Sequence, residues 1–294
     1  MKLTLCSANN LTALAGVATT LAGTEEGMAL FMQLSQGNKT VFAPNNDAFA
    51  AVPEEVSSNT TLLGQILSYH ILNDTYAVGG VAVSPAHTIA RSLLTGGDYM
   101  LPGNRTAPLV LTKNATDSEM FTILTEVNTT AMGPAQAANL NVFIIDTVLS
   151  IPPSLGTLAG TVVPKLAGLI ESSGLLDALN NQPGLTIFAP NDAAIDAISS
   201  QLPSLNETTV QTILANHVIN GTTAYSDRIT DGNYTSAAGQ PFTFMSNDTG
   251  TYVMSANATA RILQTDIIYN KGVVHVSVIS TINFLKLLLI HTLS

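Results

Sequence analysis

Apolar residues recur at helical spacing in two short segments of the chain, and each segment ends in a histidine. Leu63, Ile66 and Leu67 precede His70 at positions i, i+3 and i+4 of one helical face, with the histidine at i+7. The segment from Val210 to His217 has the same pattern. A histidine on an apolar stripe is most often a buried ring bonded to the backbone, so the pattern predicts a structural role for both rings.

A second pair of segments lies about 146 positions apart in the chain. The segments KTVFAPNNDAF (39 to 49) and LTIFAPNDAAI (185 to 195) each place a β-rich run before a proline. Proline cannot extend a central strand, so the run should end there. The polar residues that follow, Asn45 or Asn46 in one copy and Asn191 or Asp192 in the other, can then cap a helix.

The spacing between these two blocks is nearly the same in both copies. Phe42 precedes His70 by 28 residues, and Phe188 precedes His217 by 29. A repeat of this length predicts two similar globular domains. The predicted boundaries are a first domain at 1–151, a linker at 152–160 stiffened by two prolines, a second domain at 161–281 and an atypical apolar tail at 282–294.

Predicted helices cluster in the first half of each repeat, and alternating runs follow in the second half. Pro241 to Met245 and Thr251 to Met254 alternate in polarity and are typical of short antiparallel strands. Such segregation favours the α+β class.

Charged residues make up only 10% of the 294 residues, and the formal net charge is −10. Asparagines supply another route to solubility, because twelve of the 23 begin an N-x-T sequon. Ser and Thr fill 58 positions, so chance predicts about five sequons. The alternative is that an Asn- and Thr-rich chain makes sequons passively. The candidate N-glycosylation sites are Asn10, Asn38, Asn59, Asn73, Asn104, Asn114, Asn128, Asn206, Asn220, Asn233, Asn247 and Asn257.

Glycosylation implies passage through a secretory pathway, yet the first twenty residues carry no convincing signal peptide. We therefore expect the gene model to have lost a first exon. The apolar block at 282–294 is too short for a normal spanning helix, and we expect an unspliced intron there, with a peripheral membrane helix as the alternative. Membrane association would then require a lost or altered terminus. The single cysteine, Cys6, excludes an intrachain disulfide.

Local sequence offers no catalytic, metal or cofactor motif. His87, His275 and His291 have no neighbouring Cys or carboxylate at ligand spacing. Asp47 and Asp192 belong to the predicted caps, where a catalytic role is the weaker interpretation. A net charge of −10 repels phosphate backbones, which argues against nucleic-acid binding. These patterns predict a protein that is not an enzyme and binds no cofactor.

The ordered motifs resemble the fasciclin family of extracellular domains. The resemblance rests on TVFAPNNDAF (40 to 49), ILSYHI (66 to 71) and NVFIIDTVL (141 to 149), with TIFAPNDAAI (186 to 195), ILANHV (213 to 218) and NKGVVHV (270 to 276) in the second copy. It implies that each domain is a wedge-shaped β-sandwich flanked by small helices. The resemblance also implies a candidate adhesion motif at Tyr69 and His70. Asn216 stands where the family usually has that tyrosine.

The resulting expectation is a secreted or cell-surface glycoprotein that mediates adhesion or contact with matrix or cell wall. Its partner would be a cell-surface, matrix or wall protein or a polysaccharide. Two alternatives stay open. One is a carbohydrate-active hydrolase whose carboxylates converge only in the fold. The other is a structural wall component that binds no partner.

Overall fold

The computed structural model describes residues 10–255 and 258–279 of the chain. Cys6, Asn257, His291 and the predicted apolar tail lie outside these residues. The chain divides into two compact units, whose main boundary falls between Ile151 and Pro152, while residues 101–104 are grouped with the second unit.

The first domain places its helices before most of its strands, as the sequence pattern predicts. Its described helices are α1 (Thr12–Leu21), α2 (Glu25–Leu34), α3 (Asn46–Ala50), α4 (Glu54–Ser57) and α5 (Thr60–Tyr69). Its described strands are β1 (Lys39–Pro44), β2 (Ile71–Leu72), β3 (Thr88–Arg91), β4 (Pro108–Thr112), β5 (Met120–Leu124), β6 (Thr129–Ala137) and β7 (Leu140–Ile145).

The second domain has the same number of helices and strands in the described ranges, but three of its helices precede its first strand, against two in the first domain. Its described helices are α6 (Leu155–Val162), α7 (Pro164–Ser172), α8 (Leu176–Asn181), α9 (Asp192–Asp196) and α10 (Glu207–Ala215). Its described strands are β8 (Leu185–Pro190), β9 (Val218–Ile219), β10 (Tyr234–Thr235), β11 (Pro241–Asn247), β12 (Gly250–Ser255), β13 (Ala258–Tyr269) and β14 (Gly272–Ile279).

The strands of each domain form one hydrogen-bonded sheet, and the two sheets have the same order. Within the described ranges the order is β2-β1-β7-β6-β5-β4-β3 in the first domain and β9-β8-β14-β13-β12-β11-β10 in the second. The first strand of each repeat pairs in parallel with the last, and the other neighbours are antiparallel. The duplication predicted from two short blocks therefore extends through the whole topology.

Each sheet folds over so that its two edge strands approach one another. In the first domain, the backbone N–H of Asn73 donates to the carbonyl of Arg91 at 2.9 Å, and that of Leu93 donates to Ile71 at 2.7 Å. In the second domain, Ala237 N–H donates to the carbonyl of Val218 at 2.7 Å. This closure satisfies edge groups that would otherwise be open to pairing with another chain.

Aromatic side chains fill the interior of the folded sheet in the first domain. The rings of Phe42 and Phe143 lie on adjacent parallel strands at matched register, with centroids 6.2 Å apart. Phe121 packs edge-on against Phe143 at 4.8 Å. All three side chains are fully buried, so they contribute several kcal/mol each through area removed from water.

Residues 155–160 were predicted to lie in the linker, but they belong to α6. The hydroxyl of Ser154 accepts a hydrogen bond from Thr157 N–H at 3.3 Å and caps this helix immediately after the two prolines. Leu155 and Ala159 are buried in the core of the second domain. The glycines of this segment weaken its helical pattern in the sequence, so the helix was not predicted. Residues 152–154 remain as the connection before it.

Candidate functional site

The asparagine after each Phe-Ala-Pro run caps a helix, as predicted. Asn45 Oδ1 accepts a hydrogen bond from Ala48 N–H at 2.8 Å, and Asn191 Oδ1 accepts one from Ala194 N–H at 2.9 Å. The backbone N–H of Asn45 also donates to the carbonyl of Ile145 at 2.9 Å, which ties the turn to β7. This turn therefore builds the fold at the end of the central parallel strand pair.

His70 is a buried ring that uses both of its nitrogens inside the first domain. Nδ1 donates to the carbonyl of Ile66 at 2.7 Å, and Nε2 accepts from the backbone N–H of Leu149 at 2.9 Å. Burial lowers the pKa of His70 to about 4, although its bond to the Ile66 carbonyl acts in the opposite direction. The ring is therefore neutral near pH 7 and joins the end of α5 to the segment that follows β7.

Tyr69 is also internal. Its side chain is 2% exposed, and its hydroxyl donates to the carbonyl of Pro108 at 3.0 Å. The proposed adhesion motif at Tyr69 and His70 thus forms no accessible surface in this structure, because both polar tips are bonded within the domain. A partner could not touch either side chain without opening the fold.

The second domain keeps the histidine and changes its neighbour. Nδ1 of His217 bonds to the carbonyl of Ile213 at 2.8 Å, and burial lowers the pKa of this ring. Asn216 stands where Tyr69 stands in the first domain, is buried, and accepts a hydrogen bond from the Ser236 hydroxyl at 2.9 Å. Asn216 has a shorter side chain than Tyr69, and its partner lies 20 residues away in sequence, against 39 for the partner of Tyr69.

A polar cluster in the second domain was not predicted from the sequence. His275 is fully buried, and its Nε2 donates to the carbonyl of Ala224 at 2.8 Å. Its Nδ1 accepts the backbone N–H of Asp266 at 3.3 Å, while the Asp266 carboxylate accepts from Ser226 N–H at 2.8 Å and from the Ser226 hydroxyl. These contacts join residues 40 and 51 positions apart in sequence, so no local sequence motif predicts them.

The chemistry of this cluster is that of a buried structural network. Asp266 has φ +60°, a left-handed conformation uncommon outside glycine, which its paired carboxylate can help to hold. Among residues 10–255 and 258–279, no three His, Cys, Asp or Glu side chains gather closely enough to hold a metal ion.

The sequon asparagines are exposed more consistently than the other asparagines. All eleven sequon asparagines in the described part of the chain are exposed. Of the nine other described asparagines, only Asn181 is exposed, and the remaining eight are buried or half-buried. Exposure is a requirement for attachment of a glycan, and all eleven of these asparagines meet it.

Four of the eleven sequon asparagines in the described ranges occupy two equivalent pairs of positions in the two domains. Asn59 and Asn206 cap α5 and α10, accepting from Leu62 N–H at 3.1 Å and Thr209 N–H at 2.8 Å. The other pair directly follows β2 and β9. It consists of Asn73 and Asn220. Asn114 lies in the β4–β5 connection, and Asn247 is the last residue of β11, before the turn to β12.

Comparison with known proteins defines the class of this fold. The family model described as the fasciclin domain matches the chain twice, over residues 10–152 and 162–279. The chain therefore belongs to the fasciclin domain family, and the predicted α+β architecture of two tandem domains is confirmed.

Two kinds of curated relative are similar to this chain. The fasciclin-like arabinogalactan protein of Arthroderma benhamiae is 24% identical over 250 residues, which cover 82% of this chain and 58% of that protein. The immunogenic protein MPB70 of Mycobacterium bovis is 31% identical over 126 residues, which cover 41% of this chain and 53% of that protein. The chain thus spans less than two thirds of the length of these relatives.

One solved structure aligns with most of the chain. It is a FAS1 domain pair from the insect cell adhesion molecule fasciclin I, with 17% sequence identity and a TM-score of 0.43. The alignment covers 92% of this chain and 96% of the other.

Helices in the described ranges are all too short or too polar to cross a membrane.

Proposed function

We propose that this protein is a secreted or cell-surface glycoprotein whose two fasciclin domains mediate adhesion or contact with matrix or cell wall. The observation that carries the proposal is the exposure of all eleven described sequon asparagines, against burial or half-burial of eight of the nine others. The name of the fungal relative, a fasciclin-like arabinogalactan protein, agrees with a glycoprotein at the cell periphery.

The surface of the chain needs a source of solubility other than charge. Charged residues make up 10% of the sequence, against about a quarter in average soluble domains. N-linked glycans at exposed sequons would supply bulky, hydrated groups in place of ionised side chains. Two sequon positions recur in both domains, Asn59 with Asn206 and Asn73 with Asn220, so both domains would carry glycans around the same elements.

Adhesion on this proposal uses exposed surfaces and not the Tyr69–His70 pair, whose polar atoms are bonded inside the domain. The partner would be a cell-surface, matrix or wall protein or a polysaccharide, and the protein would perform no catalysis. Two domains on one chain can engage a repetitive partner together, which raises avidity without any new contact.

Binding of the full chain, produced in a secretory host, to insoluble wall polysaccharide and to immobilised matrix protein tests the proposal. We expect saturable binding to one of these supports. The variant Tyr69→Phe is the matched control and should bind equally well, because it changes an internal hydroxyl.

Two results would contradict adhesion. Release of reducing sugar from the polysaccharide would favour the hydrolase. Absence of saturable binding, together with resistance of the native protein to extraction from the wall, would favour a structural component.

A further inference from the structure

One face of the sheet in the second domain combines an exposed apolar strip with a sequon. In antiparallel strands, directly opposed residues point to the same side of the sheet. Met245 on β11 is opposed by Tyr252 on β12, and Tyr252 is opposed by Arg261 on β13. Asn247 lies two residues beyond Met245 on the same strand, so it belongs to this face as well.

The alternate positions of these strands face the core, which fixes the strip as the outer face. Phe242, Val253 and Ile262 are buried and form part of the hydrophobic core. Met245, by contrast, is 45% exposed, and Tyr252 is half-buried. We name Met245, Tyr252 and Arg261 the outer strip, and Met245 and Tyr252 form its apolar part.

The sequon next to the outer strip is held in a defined conformation. Asn247 Oδ1 accepts hydrogen bonds from Thr249 N–H at 2.9 Å and from the Thr249 hydroxyl at 2.5 Å. The Thr249 hydroxyl also lies 2.9 Å from the hydroxyl of Tyr252. These bonds use the amide oxygen of Asn247. An N-linked glycan is attached to the amide nitrogen, so these bonds do not occupy the attachment atom.

The position directly across from Asn247 carries no side chain. It is Gly250, with φ +134°, and a Cβ placed there would come within 3.0 Å of Arg261 Nε. The Arg261 side chain therefore fills the space over Gly250, where its N–H groups can donate to a group on Asn247.

We propose that the first sugars of an N-glycan on Asn247 pack along the outer strip against Met245 and Tyr252. Their C–H faces would cover apolar surface that is otherwise exposed, and the aromatic ring and thioether offer the contacts. Attachment at the edge of the strip gives the glycan a high effective concentration there, which favours it over a separate partner. This inference rests on the proposed glycosylation and assigns one of its sites a packing role.

Methionine oxidation tests this contact within the full chain. Glycosylated protein from a secretory host is treated with dilute hydrogen peroxide, and the oxidation rate of each methionine is followed by peptide mass spectrometry. We expect Met245 to oxidise several-fold more slowly in the protein glycosylated at Asn247 than in Asn247→Gln. Asn206→Gln removes another sequon of the same domain and should keep the protection. Met28, 55% exposed on α2, should oxidise equally in all three proteins.

Enzymatic trimming provides a second measurement that needs no substitution. A single remaining GlcNAc should retain part of the protection of Met245, and complete removal of the glycan should abolish it.

The outcomes separate this inference from the proposed function. Equal oxidation of Met245 with Asn247 occupied would overturn the packing role and leave the glycan coat intact. An unoccupied Asn247 among occupied sequons would do the same. Absence of glycans from every sequon would overturn the proposed function together with the inference.

Discussion

The two domains fill the same interior position with different chemistry. Phe143 lies opposite Phe42 in the first domain, and His275 lies opposite Phe188 in the second. The phenylalanine needs only apolar neighbours, whereas the histidine bonds to Ala224 and to the backbone of Asp266. One topology thus accepts a phenylalanine or a histidine at this position, provided that every polar group introduced finds a partner.

The largest effect should follow loss of the aromatic centre in the first domain. Phe143→Ala removes a fully buried ring that packs against two others, and we expect a loss of about 4 kcal/mol in the free energy of unfolding. Urea unfolding of the full chain measures this loss. Met132→Ala, at an exposed position on β6, is the control and should cost little. Equal losses for the two variants would contradict the assignment of the core.

Acidification should destabilise the first domain through His70. The folded-state pKa of about 4 lies below the ordinary value of 6.5, so the unfolded chain binds a proton first as the pH falls. The contribution of the neutral His70 ring to the free energy of unfolding is therefore fully present above pH 6.5. It is lost as the pH falls from 6.5 to 4, by up to about 3 kcal/mol. Unfolding measured across this window should show the decline.

His70→Gln is the comparison for the acid effect. It should be less stable at neutral pH, because the Leu149 bond is disturbed, and its stability should fall less on acidification. A variant that keeps the full pH dependence would place the titrating group elsewhere.

Replacing the histidine of the second domain by the phenylalanine of the first should not be neutral. His275→Phe leaves the Ala224 carbonyl and the Asp266 N–H without the ring nitrogens, and we expect a loss of about 2 kcal/mol despite the apolar gain. Thermal unfolding measures the loss. A more stable variant would show that the polar cluster is not required for this centre.

A smaller effect separates the capping role of a sequon asparagine from its glycan. In unglycosylated protein, Asn59→Ala should cost about 1 kcal/mol because Leu62 N–H loses its acceptor. Asn59→Asp keeps an acceptor there and should retain most of that stability. If the two variants unfold alike, the cap contributes nothing measurable.

Local sequence patterns predicted the features that recur in both domains. Features that occur in only one domain depend on contacts between residues distant in sequence, and these could not be predicted. The duplication, the caps at Asn45 and Asn191 and the buried His70 each follow from residues a few positions apart. Tyr69 lies off the apolar stripe of its helix, and its partner Pro108 is 39 residues away, so its burial was not readable. The contacts of His275 span up to 51 residues.

The excess of sequons and the recurrence of two of their positions follow from the sequence, because Asn59 and Asn206 lie eleven residues before the repeat histidines and Asn73 and Asn220 lie three after them. Counting sequons gave an excess over chance, whereas the separation of exposed sequon asparagines from buried ones required the fold. The location of Asn247 beside Met245 and Tyr252 depends on strand register, which the alternation of β11 and β12 alone does not determine.

Site-resolved glycopeptide mass spectrometry of the natively expressed protein tests the central claim most directly. We expect N-glycans at exposed sequons in both domains, including the equivalent pairs at Asn59 with Asn206 and Asn73 with Asn220. Unmodified asparagine at all of these positions in the natural protein would contradict it.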